Sequence, residues 1–446
     1  MKAFIQTLKN IYKIEDLKNR ILATLGFILV YRFGAHVVLP GIDPSHLQNL
    51  KSQTDTGVLG LLDMFSGGAF SNASVFALGI MPYISASIVV QLLGMAIPFF
   101  QRLQREGESG RKKINQITRY LTLAILAFQG PSYLANLHMQ LPAEAFVAQG
   151  FWQFTLPSIV MLAAGTMFIM WLGERITDKG IGNGISLLIM IGIIARLPFA
   201  LVAEFTSSLE EQGGGLIMFL VELVVLFLVF VFSIMLVQGT RKIPVQYAKR
   251  IVGNRQFGGV RQYIPLKVNA AGVMPIIFAQ ALMFIPMMLL SFNSTSTSWL
   301  ATAFADYTGF LYNFVFALLI IVFTYFYTAI TVNPTQMAED MKKNGGFIPG
   351  IKPGKKTIEF LDSIMSRITL PGSIFLAIIA ILPAFAMRAG VGNQFAQFFG
   401  GTSLLILVGV VLDTLQQIES HLLMRHYDGL MKSGRIKGRA GTVASV

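Results

Sequence analysis

The chain has 446 residues, of which 54% are hydrophobic and only 13% are charged, and its formal net charge is +13. A soluble domain carries roughly 25% charged residues, so this composition excludes a soluble globular protein. Uncharged stretches recur along the chain and are long enough to cross a bilayer core of about 30 Å as helices. The absence of cysteine excludes disulfides, thiolate metal sites and cysteine nucleophiles. The composition therefore indicates a polytopic membrane protein.

The predicted elements begin with a basic, mildly amphipathic segment over residues 1–20, in which no small-residue cleavage site follows a short apolar core. We expect this segment to be retained as a helix on the cytoplasmic membrane surface, not removed as a signal peptide. Apolar segments then predict ten membrane-spanning helices. They lie at about 21–39, 75–97, 118–136, 154–173, 183–203, 216–237, 270–291, 309–332, 369–387 and 402–419.

Between the first two spans lies GVLGLLDMFSGG, an apolar piece that is too short to cross a membrane, contains Asp63 and ends at Gly67 and Gly68. Interrupted backbone at membrane depth survives only where protein buries it or where it lines an aqueous cavity. We therefore expect a half-helix that ends at the glycines. The full second helix would begin near Asn72 or Ser74, either of which can cap it. An apolar external loop is the alternative.

Lysine and arginine are distributed very unevenly between the two sides that ten spans would create. Of the 35 basic residues, 31 lie in the N-terminal segment, in alternate connections or in the C-terminal tail. The other four are Arg32, Lys51, Arg196 and Arg388. Because cytoplasmic loops carry an excess of Lys and Arg, both termini and these connections are predicted to be cytoplasmic.

Two of these connections, at about 238–269 and 333–368, are longer and more basic than orientation requires. Loops of such length are usually functional or disordered. Their charge either docks an acidic partner, such as ribosomal RNA or a cytosolic protein, or serves topology alone.

The spans hold few of the ionisable groups that transporters bury for coupling or for substrate binding. Arg32, Glu222 and Asp413 are the candidates, and they form no cluster with matched spacing. IKPGKKT lacks the first glycine and the Ser or Thr of a nucleotide-binding loop, and His421 and His426 are poorly spaced for a metal. The sequence thus predicts a passive channel and no enzyme, cofactor or metal site. A secondary transporter of a small solute is the alternative.

Long, specific strings recur along nearly the whole chain. They are PGID at 40–43, ALGIMPYISASI at 77–88, EGESGRKK at 106–113, AGTMFIMWLGE at 164–174, GIGNGIS at 180–186, IPLKVN at 264–269 and FFGGTSLLI at 398–406. These strings resemble the bacterial SecY family, the central subunits of protein-translocating channels. The resemblance implies an all-α polytopic fold of ten transmembrane helices in two pseudosymmetric, inverted halves around a central pore. The halves would be about 1–212 and 213–446, with a short re-entrant plug helix at about 58–72.

The resemblance also implies the function. Such a channel translocates unfolded secretory polypeptides across the bacterial cytoplasmic (inner) membrane and releases membrane-protein helices laterally into the lipid bilayer. Its clients are secretory preproteins and signal peptides. The SecA motor ATPase or the translating ribosome would supply the energy, and SecE and SecG would be membrane partners. No cofactor is implied.

The family motifs place four kinds of functional residue on this chain. The pore ring falls on Ile80, Ile84, Ile185, Ile189, Ile277 and Ile406, and the plug carries Leu61, Asp63, Phe65, Gly67 and Gly68. The lateral gate, between the second and third helices and the seventh and eighth, carries Gln91 and Asn269. The docking residues for SecA or the ribosome are Lys249, Arg250, Arg255, Lys352, Lys355 and Lys356.

Lys352 departs from the family pattern, in which most bacterial members carry Arg at this position. Lysine is a mobile point charge, whereas arginine offers a planar fork of donors. We expect one contact to the motor or to ribosomal RNA to be weaker or rearranged here.

Overall fold

The computed structural model of the chain describes residues 14–47, 58–147, 150–209, 215–247, 250–252, 255–257, 261–280, 282–283 and 308–433. Most of these residues are helical. The helices are α1 (Glu15–Gly34), α2 (Val58–Ser66), α3 (Met81–Ala96), α4 (Pro98–Arg105), α5 (Glu108–Gln140), α6 (Leu156–Lys179), α7 (Gly184–Leu209), α8 (Gly215–Gln238), α9 (residues 274–280), α10 (Phe310–Thr331), α11 (Pro334–Lys343), α12 (Lys355–Arg388), α13 (Asn393–Ala396) and α14 (Gly401–Ser433). The strands are β1 (Thr240–Tyr247), β2 (Arg250–Val252), β3 (Arg255–Phe257), β4 (Arg261–Lys267) and β5 (Gly346–Phe347).

Each predicted span overlaps one of these helices, although the surface helix predicted over 1–20 falls mostly outside the described residues. Within the described part of the chain, six helices are long and apolar enough to cross a membrane, and one bent pair would make a seventh. The six are Phe151–Lys179, Gly184–Leu209, Gly215–Gln238, Phe310–Lys343, Lys355–Arg388 and Gly401–Leu422. The chain is therefore a multi-pass membrane protein, and the count of ten spans stays a prediction.

The second span begins and ends differently from its prediction. A start near Asn72 or Ser74 is wrong, because turns occupy residues 67–80 and α3 begins only at Met81. Pro82 in the first turn suits a helix start, since proline lacks the N–H that would be unpaired there. At the other end Ile97 is extended before Pro98, and the chain bends by 102° into α4.

The helix pair α6 and α7 shows how closely the backbones pack. A Cβ added to Gly184 would lie 2.0 Å from the carbonyl oxygen of Gly173, so only glycine allows this approach. Small residues at such contacts are typical of membrane helices, which associate through close packing. Helix α7 also contacts α2, α8 and α14, so it lies at the centre of the molecule.

The two long basic connections fold together into one unit, which the prediction of an all-α chain missed. Strand β1 pairs antiparallel with β4, from Thr240 opposite Lys267 to Gln246 opposite Arg261, and also with β5 from the second connection. We call β1, β4, β5, α11 and the first three turns of α12 the basic platform. Its apolar core combines side chains from both connections. Buried members are Ile243, Val245, Leu266, Ala338, Met341, Ile348 and Leu361.

Replacing Leu361 by alanine tests whether the platform is one cooperative unit. The side chain is 1% exposed, so Leu361→Ala should cost about 2–5 kcal/mol of local stability through lost burial and a cavity. We expect faster tryptic cleavage within the platform of the detergent-solubilised protein. Glu359→Ala, at an exposed position of the same helix that is not a tryptic site, is the control and should leave the cleavage rate unchanged. Equal cleavage rates in both variants would contradict a shared core.

Candidate functional site

The six isoleucines predicted for the pore ring lie in one apolar cluster at the centre of the molecule. They come from the start of α3, from α7, from α9 and from α14, which are far apart in the sequence. We call this the central cluster. Ile80, Ile189 and Ile406 are buried within it, and Ile84, Ile185 and Ile277 are partly buried against it.

Local helix geometry explains how two of these pairs point together. Ile185 and Ile189 are one turn apart on α7, and the Ile84 N–H donates to the Ile80 carbonyl at 3.1 Å. Residues four apart share one helix face, so each pair presents two branched side chains in the same direction. Four chain segments thus bring these six aliphatic side chains together in one apolar cluster.

The short helix α2 packs directly into the central cluster. Met64 and Phe65 are buried members of the central cluster, and α2 contacts α7. A helix of nine residues cannot cross a bilayer, so its polar ends depend on the surrounding protein. The predicted plug residue Leu61 also lies on α2, but the structure describes only the main chain of this residue.

The end of α2 confirms the predicted break at the glycines. Gly67 and Gly68 have φ values of +67° and +89°, a region that side chains with a Cβ rarely adopt. A Cβ on Gly67 would also lie 2.8 Å from the Cα of Gly192 on α7. Both the turn and the contact therefore require glycine at position 67.

A buried ion pair connects α2 to α7. The Asp63 side chain is fully buried and pairs through Oδ2 with Nη2 of Arg196. Its Oδ1 accepts the Ser71 N–H at 2.8 Å, and Arg196 Nη2 donates to Ser71 Oγ at 3.2 Å. Removing one partner of such a pair would leave a buried charge without compensation, which typically costs about 3–5 kcal/mol, so the position of α2 depends on both residues being present.

Helix α1 supplies a second set of contacts to the same segment. Arg32 Nη1 donates to the Gly67 carbonyl at 2.8 Å, and the Tyr31 hydroxyl donates to the Ser66 carbonyl at 3.2 Å. Arg32 was expected only as an unclustered ionisable group, and Arg196 only as a basic residue outside the basic segments, so neither was expected to contact α2 or its turn. A signal was available, because both are among the four basic residues outside the basic segments.

A second site lies between α3–α4 on one side and α9–α10 on the other. A cavity of about 220 Å³ is lined there by Gln91, Gln104, Phe278, Phe323 and Tyr327, among others. The Tyr327 hydroxyl donates to Gln91 Oε1 at 3.5 Å, and the Phe278 and Phe323 rings stack with centroids 5.6 Å apart. Polar Gln91 was predicted at this place, whereas its partner Tyr327 was not.

The other predicted gate residue, Asn269, precedes α9. Its side chain is 7% exposed, and within the described part of the chain its Oδ1 has no hydrogen-bond partner. The structure shows no direct bond between Asn269 and Gln91 among the described residues.

Three of the predicted docking residues are exposed at the basic platform. Lys355 and Lys356 begin α12, and Lys352 lies in the turn just before it, where its carbonyl accepts a hydrogen bond from the Thr357 hydroxyl at 3.0 Å. Arg250 and Arg255 lie on the paired strands β2 and β3, whose side chains are not described, and Lys249 falls outside the described residues.

The described residues contain no group of three or more His, Asp or Glu side chains that could hold a metal ion. Besides Asp63, two further carboxyl groups of the described residues are buried, on α7 and α8. Glu204 accepts the Gly392 N–H at 3.0 Å, while Glu222 is 4% exposed and its Oε2 has no hydrogen-bond partner in the described structure.

Two solved structures share this fold. One is a SecY translocation channel whose plug domain is described as stabilising the closed state and maintaining a membrane seal; it is 19% identical, with a TM-score of 0.61 and coverage of 94% of this chain and 95% of the other. The second is Sec61 in the canine ribosome–channel complex from the endoplasmic reticulum, with 18% identity, a TM-score of 0.55 and the same coverage. The chain therefore has the multi-pass helical fold that these two channel structures share.

The sequence comparisons assign the family. The SecY family model matches residues 74–415. Protein translocase subunit SecY of Streptomyces scabiei is 45% identical over 435 residues, which cover 94% of this chain and 98% of the relative. The chain belongs to the SecY family, and it is a subunit of a protein-conducting translocation channel.

Proposed function

We propose that this chain forms the pore through which unfolded secretory polypeptides cross the bacterial cytoplasmic membrane, and that the six isoleucines of the central cluster are its constriction. The observation that carries the proposal is their convergence from four chain segments onto one apolar centre beside α2. The ten helices would form two inverted halves, about 1–212 and 213–446. Neither half is proposed to catalyse a reaction.

The chemistry of the constriction suits a pore for any polypeptide. Branched aliphatic side chains make no specific hydrogen bonds, so a passing chain of any sequence meets the same apolar surface. At rest the ring offers ions no substitute for their hydration shell and can close by dewetting. The segment from 58 to about 72, which consists of α2 and the glycine turn that follows it, is the plug that moves aside.

The cavity beside Gln91 and Tyr327 is the proposed lateral gate. One long hydrogen bond and stacked aromatic rings join its two sides, so opening sacrifices little specific bonding. An open gate would let an apolar signal peptide or transmembrane helix enter lipid, where each Leu, Ile, Phe or Val gains about 0.3–0.6 kcal/mol. Asn269, buried beside α9, would gain a partner only when the gate rearranges.

The basic platform is the proposed docking surface for the ribosome or the SecA motor, which would supply the energy. The exposed Lys352, Lys355 and Lys356 support this role, and Sec61 of similar fold occurs in a ribosome complex. The platform and both termini would lie on the cytoplasmic side of the inner membrane, since 31 of 35 basic residues fall there. SecE and SecG are the proposed membrane partners.

Removing a ring side chain should open a path for ions. Ile80→Gly or Ile277→Gly would replace an apolar branch by space that water can fill, so resting conductance in planar bilayers should rise. Ile217→Gly is the matched control, because that side chain is 78% exposed on α8, away from the central cluster. Unchanged conductance in both ring variants, or an equal rise in the control, would contradict the ring.

Cross-linking to a translocating polypeptide tests the pore directly, and the cysteine-free chain is a suitable background. We would place one cysteine at Ile80 or Ile277 and another in a secretory chain stalled during export, then oxidise. A disulfide is expected at the ring positions and not at Ile217. No cross-link from any ring position, together with solute uptake by proteoliposomes, would instead identify a secondary transporter.

Bridging the gate should block lateral release. Cysteines replacing Gln91 and Tyr327, joined by a bifunctional thiol reagent, would hold α3 to α10, so membrane-protein helices should no longer enter lipid. Cysteines at Ser87 and Gln91, one turn apart on α3, are the control bridge and should leave insertion intact. Normal insertion through the gate-bridged channel would place the exit elsewhere.

A further inference from the structure

We propose that Arg196 is a positioning residue that holds the plug closed through its buried ion pair with Asp63, while Arg32 fixes the glycine turn from α1. This inference rests on the proposed role of α2 and the following turn as the plug. It names the groups that set the equilibrium between the closed and displaced positions.

The ion pair joins a moving element to a fixed one. Asp63 belongs to α2, and its carboxylate also accepts the N–H of Ser71 from the turn that follows. Arg196 belongs to the long helix α7 and bonds both Asp63 and the Ser71 hydroxyl. One arginine therefore holds two points of the plug, eight residues apart, against the channel wall.

The burial of the two partners suits reversible release. Asp63 is fully buried, whereas the Arg196 side chain is 22% exposed and faces a gap lined by Gln394 and Gln397. The desolvation cost of an intact buried pair offsets much of its attraction, but a lone buried charge is strongly unfavourable. Displacement of α2 would carry Asp63 to water while Arg196 keeps the hydration it has, so the closed state is held without being irreversible.

Helix α7 couples this contact to the pore ring. Ile185, Ile189, Gly192 and Arg196 follow one another at spacings of three and four, so they lie along one face of α7. Along that face lie the two predicted ring residues, then Gly192, against which Gly67 packs, and then Arg196. Movement of α7 during opening would widen the ring and displace the plug's anchor together.

Helix α1 holds the far end of α2. The carbonyl groups of Ser66 and Gly67 accept hydrogen bonds from Tyr31 and Arg32. Carbonyls at a helix C-terminus have no partner within the helix and carry partial negative charge, so a cation is favourable there. The glycine turn is consequently held by arginines from two different helices.

Resting conductance of the full chain with its membrane partners, in planar bilayers, tests the inference. Arg196→Gln and Asp63→Asn should each raise conductance about tenfold or more, because each leaves one partner of a buried pair uncompensated. The double variant should show much less than the product of the two effects, since neighbouring residues that share one interaction are not additive. Arg196→Lys, which keeps the charge, should restore most of the closure.

Two controls separate the possible failures. Arg388→Gln removes an exposed arginine from the end of α12 and should leave conductance unchanged, and thermal unfolding identifies variants that fail to fold. Deleting residues 58–66 tests the plug itself. Suppose that the deletion raises conductance, but both single variants match the wild type or their effects multiply. The proposed role of the Arg196–Asp63 pair is then wrong, while the plug assignment is kept. If the deletion also leaves conductance unchanged, the plug assignment fails as well.

Discussion

The constraint on which this structure depends is that lipid offers no hydrogen bonds to backbone polar groups. Long helices satisfy that constraint internally, but α2 and the turns that follow it over residues 67–80 do not. These segments persist because protein groups meet their carbonyls and carboxylate, including Tyr31, Arg32 and Arg196. An irregular segment bonded by side chains can move at lower cost than a spanning helix, which suits the proposed role of α2 and its turn as the plug.

The parts of the fold that could be predicted from sequence are those governed by local pattern. Apolar length located the helices, and Gly67 and Gly68 located the end of α2, because both signals act within a few residues. The start of α3 at Met81 was missed because Asn72 and Ser74 have good capping chemistry, whereas the surrounding turns are stabilised by tertiary contacts such as the Tyr133 hydroxyl on the Phe70 carbonyl at 2.9 Å.

Partners across large sequence distances could not be predicted in the same way. The strands of the basic platform show only a short alternation of apolar and polar residues, as in RKIPVQY. The strands that pair with β1 begin 14 or more residues after it ends, and only the folded unit brings them together. The bond of Tyr327 to Gln91 likewise joins residues 236 apart. The family motifs predicted which single residues would be functional, whereas the contacts that hold those residues came only from the folded chain.

Positive charge acts in this protein by two separate physical mechanisms, which its position distinguishes. In the basic segments many cations would act collectively, in the proposed roles of setting orientation and attracting acidic partners, with little demand on the geometry of any one residue. Arg32 and Arg196 lie instead within apolar helices, where a cation is costly without partners and each therefore has defined ones. A net charge of +13 is thus mostly a property of a surface, whereas these two residues act through the specific groups that they touch on the plug.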